Sequence, residues 1–375
     1  MIYYVGYYNC DLIRDEERAV SPASENKMSY IISALSEAVE DNIQVVSPAE
    51  TRKHKLIKGK FTKILDRVTL KTFSSFSSNN RLARGLGHFL TRISFFSYLL
   101  MNVNSEDSLI VYHSLVYMDI IKLVKKIKKC ELIIEVEELY SDVKEDEYLR
   151  KREIGYLQIS DKYIFITNLL RKEIDEQKPF IISHGTYRSI SDFGFRFNDN
   201  KIHVVYAGTF DPVKGGVFAA ISIAEYLDDN FVVDILGTGS ASEVQAVKRK
   251  IKEVSPKTTC KVNYVGYKFG DEFDSYVQAC QIGLATQQFG AKFNATSFPS
   301  KILMYMSNGI RVVCARISAV ETSDVSDFVN YYDSPDAKEI AKAVRNASLD
   351  KSDGRRVLNR LHNRFLICLK ELIYR

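Results

Sequence analysis

The sequence predicts an α/β protein of two doubly wound domains, and three observations predict it. Short apolar runs alternate with amphipathic stretches at helical spacing along the whole chain. The alternation lapses in the polar, glycine-containing segment 184–200 (HGTYRSISDFGFRFNDN) and then restarts. The length of 375 residues suits two domains of about 100–200 residues each.

In order, IYYVGYY reads as a first buried strand. SENKMSYIISALSEAVE reads as a helix whose Met28, Ile31, Ile32, Leu35 and Val39 share a face. IQVVSP is the next strand, and segment 51–101 mixes helical stretches with a Ser/Asn-rich break, SSFSSNN. SLIVYHS is a strand, VYMDIIKLVKKIKK a basic amphipathic helix, and ELIIEVEELY a strand running into an acidic loop. A helix near 146–159, the strand KYIFIT, a helix from Asn168 and the stretch PFIISHGTYR finish the first half. The second half runs strand IHVVYAG, loop TFDPVKGG, helix VFAAISIAEYL, strand FVVDILG, loop TGS and a helix over 241–253. Strand VNYVGY, a helix over 271–279, short strand IGLAT, the stretch FNATSFPSKILMYMSNG, strand RVVCA and a terminal helix pair complete it.

Hydrophobic content of 46% and charged content of 26% describe an ordinary globular protein. The six cysteines lie far apart without a CxxC pair, so buried thiols in a reducing compartment are expected rather than a disulfide or metal framework. The N-terminus lacks the pattern of a signal peptide, and no run reaches 18 uncharged apolar residues; a cytoplasmic protein is expected. The charge is uneven: residues 51–97 carry eleven Lys/Arg against one acid, Asp66. A solvated face and nucleic-acid binding are two readings of that stretch. The third is attachment to anionic lipid, favoured because KLIKGKFTKIL and RISFFSYLL interleave cations with large apolar residues.

Ligands of open α/β sheets bind at the carboxyl ends of strands, near helix N-termini. Three second-half loops have chemistry for an anion there. AGTFDPVKGG brings glycine amides and Lys214 to a helix start, and ILGTGS repeats the strand–glycine–turn arrangement with Gly237 and Gly239. SFPSKI places Pro299 at or near a first helical position, leaving the next N–H groups free beside the Ser300 hydroxyl and the Lys301 ammonium. Together they suggest a diphosphate site. Neither GxGxxG after the first strand nor GxxxxGK[ST] is present, which removes kinase, P-loop and standard dehydrogenase readings.

The series VVYAGTFDPVKGG, FVVDILGTGS, VNYVGY, FDSYVQACQIGLAT and SFPSKILMYMSNGIRVVCA resembles the donor-binding half of retaining GT-B glycosyltransferases, the large fourth family (group 1 glycosyl transferases). The match in order and spacing spans roughly residues 200–350, while NKMSYIISAL, SDKYIFIT and FIISHGTY fit the acceptor half more loosely. The resemblance implies two facing Rossmann-like domains: an acceptor domain over 1–195, a nucleotide-sugar domain over 196–355, and a C-terminal helix, 356–375, crossing back to the first. It implies donor contacts by Gly208, Thr209 and Lys214, by Gly237 and Gly239, and by Tyr267 and Lys268 flanking the base. It extends them through Thr296, Ser297, Pro299, Ser300, Lys301 and Ile302. Thr209 stands where the family has an arginine, and Thr296 and Met304 stand where it has two glutamates, the second of which holds the ribose.

On the acceptor side, Glu137 and Glu138 replace a histidine-containing turn; they are the candidate catalytic carboxylates, Glu138 preferred, against a solvated acidic loop starting at Glu135. Gly6, Asn26, Lys27 and His113 are candidate acceptor-side residues, with an ordinary helix start for Asn26 and Lys27 and a packed histidine as the alternatives. The activity implied is retaining transfer of a hexosyl-type sugar from a nucleotide-sugar, UDP favoured, to a lipid-linked saccharide or glycan. The setting would be surface polysaccharide or glycoconjugate synthesis on the inner face of the cell membrane. The nucleotide-sugar is a substrate; no cofactor, metal or nucleic acid is expected, and no DxD motif is present. The main rival is a non-catalytic relative that binds or regulates another glycosyltransferase. An epimerase or phosphorylase of the same architecture is a second, although no pyridoxal-phosphate lysine is identifiable.

Overall fold

The computed structural model describes the chain except residues 176, 211–215, 288, 291–293, 295 and 375 and the side chain of Val143. Two compact units emerge, residues 1–186 with 364–375, and residues 187–363.

In the first unit, β1 (Ile2–Val5), α1 (Pro22–Ala38) and β2 (Ile43–Ser47) open the sheet. A hairpin follows, β3 (Phe61–Leu65) and β4 (Val68–Thr72), and then α2 (Arg81–Asn102) and β5 (Ser108–Tyr112). Next come α3 (Met118–Lys128), β6 (Glu131–Val136), α4 (Tyr140–Lys144) and α5 (Glu147–Leu157). The series ends with β7 (Lys162–Phe165), α6 (Leu169–Ile174) and β8 (Phe180–Ile182). The eight strands lie in the order β3-β4-β2-β1-β5-β6-β7-β8, and only the β3–β4 pair is antiparallel. Strands β1 and β7 are buried along their whole length, as a parallel sheet covered on both faces requires. Residues 364–375 belong to this unit: Phe365 stacks on Tyr30 at 5.7 Å, and the Lys162 ammonium donates to the Leu372 carbonyl at 2.7 Å.

The hairpin differs from the helical stretches expected in segment 51–101. Burial alternates strictly along β4, so KFTKILDRVTLKT carries a period of two, with Asp66 and Arg67 at its turn. Lysines at every second or third position masked that period as basic helix.

In the second unit, β9 (Ile202–Thr209), α7 (Val217–Ser222), β10 (Phe231–Thr238), α8 (Ala241–Val254) and β11 (Lys261–Gly266) form one wing. The other contains α9 (Gly270–Ala279), β12 (Ile282–Ala285), α10 (Ser300–Ser307) and β13 (Arg311–Ala315). It ends with α11 (Ser318–Glu321), β14 (Val329–Tyr332), α12 (Ala337–Leu349) and α13 (Gly354–Tyr374), whose last turns carry residues 364–374 of the first unit. The order β11-β10-β9-β12-β13-β14 is parallel throughout and reverses between β9 and β12. That reversal is a topological switch point, where a crevice opens beyond the strand ends.

Tyr305 of α10 fixes the crevice. The ladder between β9 and β12 is registered at Val204↔Ile282 and Val205↔Gly283. Just beyond it the buried Tyr305 hydroxyl accepts from the Ala207 N–H (2.9 Å) and donates to the Leu284 carbonyl (3.2 Å). A phenol thus satisfies two backbone groups of the parting strands. Its ring lies flat on Gly283, where an added Cβ would come within 2.2 Å of it. Gly283→Ala is therefore expected to destabilise the protein by about 1–3 kcal/mol by overpacking, read as a lower midpoint in thermal denaturation; an unchanged midpoint would contradict this packing.

Candidate functional site

The crevice of the second unit is built from glycine-ended strands and the start of α10. Gly208 and Gly237 are register partners at the ends of β9 and β10, both at positive φ (+157° and +139°). A Cβ on Gly237 would lie 1.8 Å from the Gly208 carbonyl oxygen, and one on Gly208 would lie 2.7 Å from Lys301 Cε. Both positions favour glycine, and the space Gly208 leaves takes the end of the Lys301 chain. Its ammonium sits 3.9 Å from the centroid of the Tyr206 ring. Burial lowers the Lys301 pKa to about 8.

Helix α10 places Lys301 there because its inward face is apolar. Ile302, Leu303, Tyr305 and Met306 are buried, whereas Ser300, Lys301 and Met304 are not. Pro299 is the N-cap rather than the first helical residue, with extended ψ of 102°. The Ile302 amide donates back to the Pro299 carbonyl at 3.0 Å and its side chain is fully buried, so Ile302 offers a ligand nothing. The outward groups are the amides and side chains of Ser300 and Lys301. Met304 occupies the next turn of the same face, half-buried, where the family pattern would set a carboxylate. Thr296 is buried. Lys214 lies outside the described residues, and Thr209 is exposed at the end of β9.

On the β11 side, Tyr267 and Phe269 are exposed aromatics with ring centroids 6.2 Å apart and planes 24° from parallel. Two exposed π-faces make a platform for a planar base. Lys268, between them, is paired with Glu272. Phe269 escaped sequence reasoning, although aromatics two residues apart at a strand end carried a signal. Gly239 packs under Glu243, whose carboxylate and backbone form a capping box with Ser240 (Ser240 N to Oε2, 2.6 Å; Glu243 N to Ser240 Oγ, 3.3 Å). The first turn of α8 is thereby largely self-satisfied, unlike that of α10. A cavity of about 190 Å³ lined by Arg196, Arg311 and Arg355 lies at the opposite, amino end of β13. Its arginines donate to chain carbonyls: Arg355 to Asn308 (3.0 Å) and Arg311 to Ala347 (3.4 Å). They close helix ends and stand apart from the crevice.

The first unit gathers its polar residues at the ends of β1, β5, β6 and β8. Glu135 is a fully buried member of β6, not the start of a solvated loop. Tyr4 donates to its Oε2 at 2.5 Å, and the carboxyl of Glu137 is its nearest like-charged neighbour. Burial and the neighbouring Glu137 charge raise the Glu135 pKa, and burial raises that of Glu137, so the pair retains a proton well above the ordinary carboxylate range. Lys27 lies in the second turn of α1, not at its start, and is buried. Its ammonium donates to the Ser183 carbonyl (2.7 Å) and hydroxyl (2.9 Å) and lies 3.3 Å from Glu137. Glu137 is thus bound into an internal network, while Glu138, half-buried at the strand end, stands next to it. Asn26 is exposed.

Two acceptor-side expectations meet a packed interior. A Cβ on Gly6 would lie 2.4 Å from Met28 Cε, so Met28 already fills the room that Gly6 leaves. His113 is buried between Tyr140 and Tyr156, with ring centroids at 5.1 and 6.1 Å, and burial drops its pKa to about 4. It is a neutral core histidine at pH 7. The turn after β6 is held instead by Glu153, fully buried, which accepts from the amides of Tyr140 (2.9 Å) and Ser141 (3.0 Å). No sequence pattern pointed to Glu153, which lies thirteen residues from Tyr140 on another helix.

No protein-family model matches the chain, and no curated protein matches it either. Solved structures do. The sucrose-phosphate synthase of Thermosynechococcus elongatus aligns with a TM-score of 0.65 at 13% identity, over 99% of this chain and 96% of that one. The UDP-forming α,α-trehalose-phosphate synthase of Burkholderia xenovorans, in complex with glucose-6-phosphate, gives 0.63 at 11% identity, over 99% and 98%. Anabaena HepE in complex with UDP and glucose gives 0.62 at 10%, over 99% and 97%. The fold is GT-B. It spans the whole chain, in agreement with the two doubly wound domains expected from the sequence.

A lysine with pKa about 8 is charged at pH 7 and loses that charge as pH rises through 8, where an ordinary lysine near 10.5 keeps it. Affinity for a nucleoside diphosphate should therefore fall between about pH 7 and 9, and Lys301→Arg should remove that fall; the same fall in the arginine variant would exclude Lys301 as its origin. Because the folded state raises the Glu135 pKa above 4.5, it binds more protons than the unfolded chain, and stability falls as pH climbs above that value. Denaturant titrations should show Glu135→Gln flattening this slope at pH 5–8, and an unaltered slope would reassign it.

Proposed function

We propose that this protein is a glycosyltransferase that moves a sugar from a nucleotide-sugar, UDP-sugar favoured, with retention of configuration. The observation that carries the reading is the Lys301 ammonium laid over Gly208 and the Tyr206 ring at the end of β9, beside the switch point. A partly desolvated ammonium, two outward amides and glycine-bared strand ends suit a diphosphate, and the Tyr267–Phe269 pair suits its base. The structural neighbours named as UDP-forming or bound to UDP support the same donor.

In the proposed reaction the bond between the anomeric carbon and the diphosphate oxygen breaks. The electron pair leaves with the diphosphate, and an acceptor hydroxyl bonds to that carbon on the same face and passes its proton to the departing diphosphate oxygen. Lys301 and the α10 amides oppose the negative charge of the leaving diphosphate where it develops. Lys214 would add a second ammonium. Glu138 is the residue proposed to orient the acceptor hydroxyl, with Glu137, tied to Lys27 and Glu135, holding the turn that presents it. The proposed acceptor is a lipid-linked saccharide or glycan of a surface polysaccharide or glycoconjugate, met at the inner face of the cell membrane. Several neighbours are named for sugar-phosphate products, and a sugar phosphate is the acceptor to compare with it.

Met304 and Thr296, apolar and uncharged where a ribose or sugar carboxylate would stand, favour a second reading, a donor-binding relative that regulates an active transferase. Calorimetry with UDP-, GDP-, ADP- and CMP-sugars tests what the two readings share: one should bind, and Lys301→Ala should weaken it about tenfold or more while sparing the bare nucleoside. Binding by none of the four would refute both. Turnover separates them: Glu138→Gln should lower kcat while leaving donor affinity intact, and a wild-type protein that binds donor without turnover on either acceptor class would be the regulator.

A further inference from the structure

Helix α2 has two apolar faces, and the fold uses one. Gly87, Thr91, Phe95 and Leu99, spaced by four, are buried; Phe95 meets Phe73 and Tyr117 edge-on at 5.9 and 6.0 Å. On the opposite side Leu82, Leu86, Phe89, Leu90 and Ile93 repeat at helical spacing and are 46–84% exposed. The Asn80 side chain caps the helix, accepting from the amides of Leu82 (2.9 Å) and Ala83 (3.2 Å), so these first turns are formed despite their exposure. From Leu82 to Ile93 the stripe runs about 16 Å.

The open end of the β3–β4 hairpin packs on the C-terminal half of α2. Phe61, 58% exposed, lies 6.2 Å from the Tyr98 ring, and the Lys71 ammonium sits over both rings at 4.3 and 5.5 Å. The same elements are basic: α2 carries Arg81, Arg84 and Arg92 and no acid, and the segment leading into and through β3 carries Lys55, Lys58 and Lys63. The nearby carboxylates are few and engaged: Glu50 with His88, Asp66 with Lys63 at 2.9 Å, and Glu16 with Lys60 at 2.7 Å.

We propose that the outer face of α2, with the open end of the β3–β4 hairpin, is a docking surface for an anionic lipid bilayer. The stripe enters the headgroup–acyl boundary and the flanking cations meet lipid phosphates. Charge complementarity selects this occupant. A second copy would bring eleven Lys/Arg and one acid of residues 51–97 against the same excess, whereas an anionic surface is attracted by it. Among the described residues no helix is long and apolar enough to cross a membrane, so α2 would lie in the interface plane. This deepens the proposed function by naming where a lipid-linked acceptor is met; it rests on that reading for the acceptor, while lipid binding needs no donor and is measured without one.

The test is co-sedimentation of the full chain with vesicles of phosphatidylcholine, with and without phosphatidylglycerol, at low and high salt. Binding should require phosphatidylglycerol and weaken as salt rises. Phe89→Glu with Leu90→Glu should weaken it about tenfold or more, and Arg81→Gln with Arg84→Gln should reduce it and its salt dependence. Circular dichroism and the thermal midpoint should match wild type, because all four side chains are exposed. Three results would overturn the proposal. One is absence of binding at low salt. Another is equal binding by wild type and the Phe89/Leu90 variant. The third is a wild-type dimer in analytical ultracentrifugation that this variant dissolves, which would give the stripe to a second copy.

Discussion

The second unit depends on one hydroxyl. Beyond the last registered pair of β9 and β12, the Tyr305 hydroxyl accepts from the Ala207 N–H and donates to the Leu284 carbonyl. An unpartnered buried amide costs about 1–3 kcal/mol, so the crevice is tenable only with α10 seated on Gly283. The same seat fixes the rotation of the helix. With Tyr305 inward, Ser300 and Lys301 face outward, and the Lys301 chain lies over the glycine end of β9.

The first unit settles its polar groups differently. Its strand ends are closed by an internal network of Tyr4, Glu135, Glu137, Lys27 and Ser183, and by Glu153 capping the following turn. Buried carboxyls here keep a proton or a lysine, which lets them sit among apolar strands. Glu138, half-buried, follows Glu137 at the same strand end. Polar groups thus gather at strand ends in each unit, around Lys301 in one and around the Glu135–Glu137 pair in the other.

Much of this was legible in the sequence because parallel strands buried on both faces are written as plain apolar runs, and glycines follow them at β9 and β10. The Ser300–Lys301 pair was legible as a helix start, although the structure moves the cap to Pro299 and turns Ile302 inward. What stayed hidden depends on distance in sequence. Tyr305 and Ala207, or Glu153 and the amides it caps, are brought together only by the fold. Glu135 looked like the edge of an acidic loop because a buried carboxyl and a solvated one share a letter, and the β3–β4 hairpin looked helical because its lysines blurred an alternating pattern. Gly6 and His113 also stand at strand ends, where Met28, Tyr140 and Tyr156 pack against them, and the packed alternative weighed for His113 is the one its surroundings match.

Hydrogen–deuterium exchange with and without UDP would test the central claim most directly, that a diphosphate lands on the Lys301 face of the switch point. Added protection should concentrate in peptides covering 206–209, 236–239 and 299–304, with little change at the amino ends of β12 and β13. Protection confined to the arginine-lined cavity near Arg311 and Arg355, or absent from all three segments at saturating UDP, would contradict it.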